Sequence, residues 1–186
     1  MKLYDQIKAL EPFNEQEETD RKRLLEYLET GKDLFTRKNE NAHMTASAWV
    51  VSRDRTKVLM AYHNIYDSWS WLGGHADGET DLLKTALREV KEESGLQNVS
   101  PVSEDIYSLE ILTVDGHEKK GTYIGSHLHL NVTYLLEADP DEPVRPKEGE
   151  NRAVAWFEKD EAVRMSSEPW FRERIYSKLN EKLKKI

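Results

Sequence analysis

The chain has 186 residues, with 27 Lys and Arg against 35 Asp and Glu, a formal net charge of −8 and no cysteine. This length suits one domain that can bury a core without disulfides or a structural metal. The negative balance disfavours a dedicated nucleic-acid or anionic-membrane binder, and the missing cysteines exclude disulfide scaffolds, cysteine zinc sites and thiol nucleophiles.

In chain order, the spacing predicts a helix over 14–30, with Leu24, Leu25 and Leu28 as its apolar stripe and Gly31 as its stop. TASAWVVS (45–52) and KVLMAYH (57–63) read as a hairpin around a polar turn at Asp54. WSWLGGHADGE (69–79) reads as a Gly-rich loop, and 81–94 as a helix ended by Gly95 and Leu96. DIYSLEILTV (105–114) and HLHLNVTYLLEA (127–138) are strand candidates on either side of the polar DGHEKKGTYIG (115–125). DPDEPVRPKEGEN (139–151) is a proline-rich acidic loop, AVAWF (153–157) a short strand, and the tail from Glu158 one short and one longer helix. Trp69, Trp71 and Trp156 are expected to pack in the core or loops, base stacking being the alternative. The order predicts a single α/β domain with a mixed sheet covered by helices. Residues 1–40 form an N-terminal helical extension, 41–158 the core and 159–186 C-terminal helices.

On a helical wheel of about 100° per residue, Leu82, Leu83, Ala86, Leu87 and Val90 fall on one buried face. Glu89, Glu92 and Glu93 share a neighbouring stripe near the helix C-terminus, where mutual repulsion and the helix dipole both oppose ionisation. A solvated acidic face would account for the stripe alone. A divalent cation fits it better once Gly73 and Gly74 let the backbone approach the same patch.

GGHADGETDLLKTALREVKEESGL resembles the signature box of the Nudix hydrolases, Gly-x5-Glu-x7-Arg-Glu-U-x-Glu-Glu-x-Gly-U with U aliphatic. Arg88, Glu89, Val90, Glu92, Glu93, Gly95 and Leu96 match position for position. The first half departs by one residue, because Glu79 keeps its spacing from Gly73 but stands eight residues before Arg88 instead of seven. The resemblance runs over about 42–157 and implies a Nudix-like α/β/α sandwich. It also implies metal-assisted attack of water on a diphosphate linkage in a small nucleotide-containing substrate. Carried over, Glu92 and Glu93 would be Mg²⁺ or Mn²⁺ ligands, Glu89 a ligand or the base, the Gly73 carbonyl a further ligand, and Arg88 the residue that orients the glutamates. KEGEN (147–151) resembles a downstream loop that supplies another carboxylate in some members, which makes Glu148 the first choice of base, ahead of Glu89. A non-catalytic Nudix-fold binding module is the alternative, and it should show eroded carboxylates.

HMTAS at His43, the YH at His63, GGH at His75 and HLHLN at His127 and His129 resemble one subgroup of that family. His127 and His129 alternate onto one strand face and His75 adjoins the metal loop, so these histidines are expected to bind substrate phosphates or an extra metal. Lys119 and Lys120, in the preceding loop, would meet phosphates or solvent. No stretch approaches the roughly 18 apolar residues of a membrane span, and the N-terminus lacks an apolar signal core. A cytoplasmic protein with no membrane partner is expected, and a homodimer is compatible with the sequence.

Overall fold

The computed structural model describes residues 2–119 and 121–186. Lys120 and the side chain of Lys119 therefore lie outside what is described. The helix expected over 14–30 is α2 (Glu15–Glu29), and Asn14 caps it by accepting the Glu17 N–H at 3.0 Å. A shorter helix, α1 (Leu3–Ala9), precedes it. The predicted hairpin is β1 (Ala42–Ser52) with β2 (Lys57–His63).

The Gly-rich segment is not simply a loop. It contains β3 (Ser68–Ser70) and β4 (Leu72–His75), which pair antiparallel with β2 and β1. In β4, cross-strand bonds to the sequence-distant β1 outweigh the weak strand preference of glycine. Next comes α3 (Leu82–Ser94), opened by Asp81, whose side chain accepts the Lys84 N–H, and closed by Gly95 at φ 76°. That left-handed φ is one glycine adopts without strain.

The chain continues through β5 (Val99–Pro101), β6 (Ser108–Val114), the β7–β8 hairpin (His117–Lys119 and Thr122–Ile124), β9 (His127–Ala138) and β10 (Asn151–Glu158). The polar separator thus carries a small hairpin of its own. The tail is α4 (Lys159–Met165), then a π-helical turn (Phe171–Tyr176) running into α5 (Ser177–Leu183).

The main sheet has the order β10-β2-β1-β9-β5, with β3, β4 and β6 paired to β2, β1 and β9. Among the described strands only β1 and β9 pair in parallel, in register from Ala42 opposite Leu128 to Ser52 opposite Ala138. The sheet is therefore mixed, as expected, and β1 is buried at every position because both its faces are covered. Met44, Ala46, Ala48 and Val50 of β1, with Leu130, Val132 and Leu136 of β9, join Leu82, Ala86 and Val90 of α3 in the larger core. On the other face Trp49 and Leu135 pack with Ile175, Tyr176 and Leu179. Period-2 alternation leaves His43, Thr45 and Ser47 on the second face with His129 and Asn131, where apolar packing gives way to a polar cleft.

A buried ionic network ties the termini to the sheet. Glu17 and Glu110 are fully buried; Lys178 Nζ lies 3.3 Å from Glu17 and 2.9 Å from Glu110, and Lys182 Nζ lies 2.8 Å from Glu17. Burial opposes ionisation of Glu17, but Lys178 and Lys182 outweigh it and hold the carboxyl below its usual range. A depressed carboxyl pKa contributes stability above the unfolded-state value and loses it on acidification, so this contribution fades below about pH 4. Lys178→Met would leave Glu110 without an ion-pair partner among the described residues. It is expected to cost roughly 3–5 kcal/mol in denaturant unfolding, the usual penalty for stranding a buried charge.

Candidate active site

A cleft of about 860 Å³ opens where α3, β4 and the loop before β10 meet the polar end of β1 and β9. Gly73, Glu89, Glu92 and Glu93 all line it, so the three glutamates converge as the helical spacing predicts. They are not equivalent. Glu93 is 5% exposed and Glu89 8%, whereas Glu92 faces solvent.

Close backbone approach sets this floor. A Cβ on Gly73 would lie 2.6 Å from the Ala46 carbonyl oxygen, so backbone leaves no room for a side chain there, and one on Gly74 would lie 2.6 Å from Glu89 Oε1 and displace that carboxylate. The Gly73 N–H donates to Glu93 Oε2 at 2.9 Å, and Asn151 Nδ2 donates to Glu93 Oε1 at 3.4 Å. Arg88 Nη2 lies 2.9 Å from Glu89 Oε1 and donates to the His75 carbonyl at 3.2 Å, while Nη1 is 3.7 Å from Glu92 Oε1. Lys147 Nζ sits 3.2 Å from Glu92 and 2.9 Å from Glu150. Sequence reading missed Lys147 and Asn151, which a proline-rich loop delivers and no helical periodicity marks. Glu148, on the same loop, is exposed on the cleft rim.

Glu79 stands away from this floor. It accepts the Asp81 N–H and pairs with Lys84 Nζ at 2.7 Å, so it braces the start of α3. The loop before it is held by Arg37, whose Nε donates to Asp77 at 2.7 Å, and by the Gly78 N–H bonded to the Phe35 carbonyl.

Burial pushes the Glu93 carboxyl up to about 8; the Gly73 and Asn151 bonds resist, and the charges of Glu89 and Glu150 add to the rise. Burial likewise raises Glu89, against the pull of Arg88. The Oδ1 of Asn151 is buried with no hydrogen-bond partner among the described residues. A costly buried carboxylate, two further carboxylates and an orphaned amide oxygen form a hard oxygen-donor set of the kind Mg²⁺ or Mn²⁺ takes, so the residues fit that ion. With burial pushing Glu93 up to about 8, a cation bound at this carboxyl would have to displace its proton. Mn²⁺ affinity is therefore expected to climb between about pH 5 and pH 8, with close to one proton released at pH 7. Calorimetry in buffers of different ionisation enthalpy reads this directly, and a buffer-independent heat would contradict it.

The predicted histidines gather on the opposite wall, but only some face the cleft. His75 and His129 line it, while His43 (4% exposed) and His127 (9%) are buried among the described side chains behind it. His43 and His129 occupy the same register position on β1 and β9. Their ring centroids are 5.2 Å apart, and those of His75 and His129 4.8 Å. His127 Nδ1 meets the Gly125 carbonyl at 2.9 Å, and its Nε2 lies 3.2 Å from His129 Nε2. Burial, reinforced by the neighbouring histidines, pushes His129 down to about 2, so it stays neutral. His63 lies on the rim, its ring 4.7 Å from that of Tyr66. Of the tryptophans, Trp69 packs edge-on against Tyr62 and Phe157, and Trp156 packs against the larger core. Trp71 lines the cleft, held by Phe171 and Tyr176.

A family model described as the NUDIX domain matches residues 41–179. No curated protein matches the chain. Among solved structures, the fold is similar to that of a C. elegans Ap4A hydrolase, with a TM-score of 0.54, 19% identity, and coverage of 76% of this chain and 95% of that one. It is also similar to a NUDIX-family hydrolase from Clostridium perfringens (0.50, 24%, 77% and 97%). A third is the E. coli dihydroneopterin triphosphate pyrophosphohydrolase (0.53, 14%, 72% and 92%). At such identities the likeness speaks for the fold. The family match spans the strands, box and downstream loop that build the cleft, and by it the chain belongs to the Nudix hydrolase family.

Proposed function

We propose that the chain hydrolyses a diphosphate linkage in a small nucleotide-containing substrate, using Mg²⁺ or Mn²⁺. The observation that carries this reading is the convergence of the buried Glu93 and Glu89 carboxyls with Glu92 against Gly73 and Gly74. Glu92, Glu93 and the Gly73 carbonyl would hold the ion, with Glu89 beside them. When bound, it would neutralise phosphate charge and stabilise charge developing on the phosphoryl oxygens.

The chain's own residues supply the rest. Arg88 fixes Glu89 and Glu92 in place through its guanidinium, and Lys147 brings a positive charge to the acidic floor. The attacking water forms its bond to phosphorus as the anhydride P–O bond breaks, and a carboxylate must take the water's proton. Sequence ranks Glu148 first for that task; burial favours Glu89, whose proton affinity it raises above that of an exposed carboxylate, in the direction a general base needs. Glu148 then remains an exposed carboxylate on the cleft rim. His75 and His129 form the wall that the phosphate end meets, backed by His43 and His127.

The screening experiment is a panel of ADP-ribose, nucleotide sugars and dinucleoside polyphosphates with Mn²⁺. Release of nucleoside monophosphate from at least one of them is expected, and EDTA should stop it. Metal-saturated protein that cleaves none would point to a binding module.

A further inference from the structure

We propose that His43, His75 and His129 form a second metal site, for a Zn²⁺-class ion, separate from the glutamates of α3 and open to the cleft at its fourth position. One ligand nitrogen from each of these three residues lies within 4.8 Å of the other two. Three elements supply them: β1, the end of β4 and β9. The parallel register that sets His43 beside His129, with Thr45 opposite His75 on the antiparallel side, brings the three rings together.

The second observation concerns the tautomer. His43 Nδ1 meets the Asn39 carbonyl at 3.0 Å, and a carbonyl only accepts, so Nδ1 carries the proton. The Nε2 lone pair is then the free end of the ring. That atom is buried and has no hydrogen-bond partner among the described residues. An imidazole oriented by a backbone carbonyl, with its other nitrogen left bare, is the arrangement that metal-ligating histidines show.

Ligand chemistry separates this site from the floor. Imidazoles suit Zn²⁺ and its neighbours, whereas the glutamates suit Mg²⁺ or Mn²⁺. Zn–N bonds of about 2.0–2.1 Å place tetrahedral ligand nitrogens about 3.4 Å apart. The nitrogens must therefore each move by on the order of 1 Å to close on an ion. Three protein ligands leave one coordination position, and since His75 and His129 line the cleft, a water or a phosphate oxygen of the substrate would fill it. The wall assigned above to the phosphate end would then act through this ion, so the proposal deepens the hydrolase reading and does not replace it.

Co²⁺ reports the difference in colour. Full-length protein freed of metal by chelation should take one equivalent of Co²⁺ with the strong visible bands of a tetrahedral, nitrogen-rich site, and Zn²⁺ should displace them. His43→Ala and His129→Ala should each lose the bands and weaken binding by on the order of 10² or more, while Glu93→Gln keeps them. Wild-type protein showing only the faint bands of an octahedral oxygen site would overturn the proposal, whatever the variants do. So would full bands surviving in either histidine variant. Because this readout uses no substrate, failure here leaves the hydrolase reading standing, and an inactive enzyme with intact bands would fault that reading alone.

Discussion

Glu93→Gln is expected to lower kcat/KM by on the order of 10³ and to weaken Mn²⁺ binding together with it. Charge stabilisation by a bound divalent cation is worth several kcal/mol, and each step of about 1.4 kcal/mol is tenfold in rate. Gln keeps the shape and an oxygen for the Gly73 N–H but cannot ionise. The stability readout distinguishes this from misfolding. The Glu93 carboxyl sits at about 8, above its unfolded value. Its contribution to folding is thus fully present below about pH 4 and is lost as pH rises towards 8. Metal-free Glu93→Gln should escape that loss and unfold no more easily than wild type at pH 8. Turnover and Mn²⁺ affinity both close to wild type would remove Glu93 from the metal set.

Separating metal holding from proton abstraction is the second large effect. Glu89→Gln is expected to lower kcat by roughly 10² to 10⁴, the usual scale for losing a general base, with KM little changed. Arg88, 2.9 Å from Glu89 Oε1, can still donate to the amide oxygen, so the floor should hold. Glu148→Gln should cost less, because its carboxylate is exposed on the cleft rim and not packed on the floor. Steady-state kinetics beside Mn²⁺ calorimetry decides between them. A collapse of kcat in Glu148→Gln with Glu89→Gln near normal would return the base to the loop.

The helix that carries the glutamates was legible because its information is local. Leu82, Ala86 and Val90 repeat at helical spacing, Asp81 and Gly95 mark its ends, and Glu89, Glu92 and Glu93 fall on one stripe by geometry alone. The β3 and β4 strands were not, since their stability comes from pairing with β2 and β1 while their own residues include Gly73 and Gly74. The seven-residue α1 falls short of the window of about 11–18 residues over which helical periodicity reads clearly. In the site, Asn151 and Lys147 escaped notice because β10 and its loop bring them to α3 across more than fifty residues. The histidines read as a set of short motifs. Which of them meet depends on the β1–β9 register, which no local pattern encodes, and it places His43 and His127 behind the wall that His75 and His129 form.

Hydrolysis in H₂¹⁸O tests water attack on the diphosphate linkage most directly. With Mg²⁺ or Mn²⁺ and a substrate from the panel, mass spectrometry should find one ¹⁸O in a single phosphoryl product of each cleavage. EDTA should abolish both cleavage and label, and added Mn²⁺ should restore them. Folded, metal-saturated wild-type protein that leaves every diphosphate linkage intact, or that yields cleaved products without ¹⁸O, would contradict it.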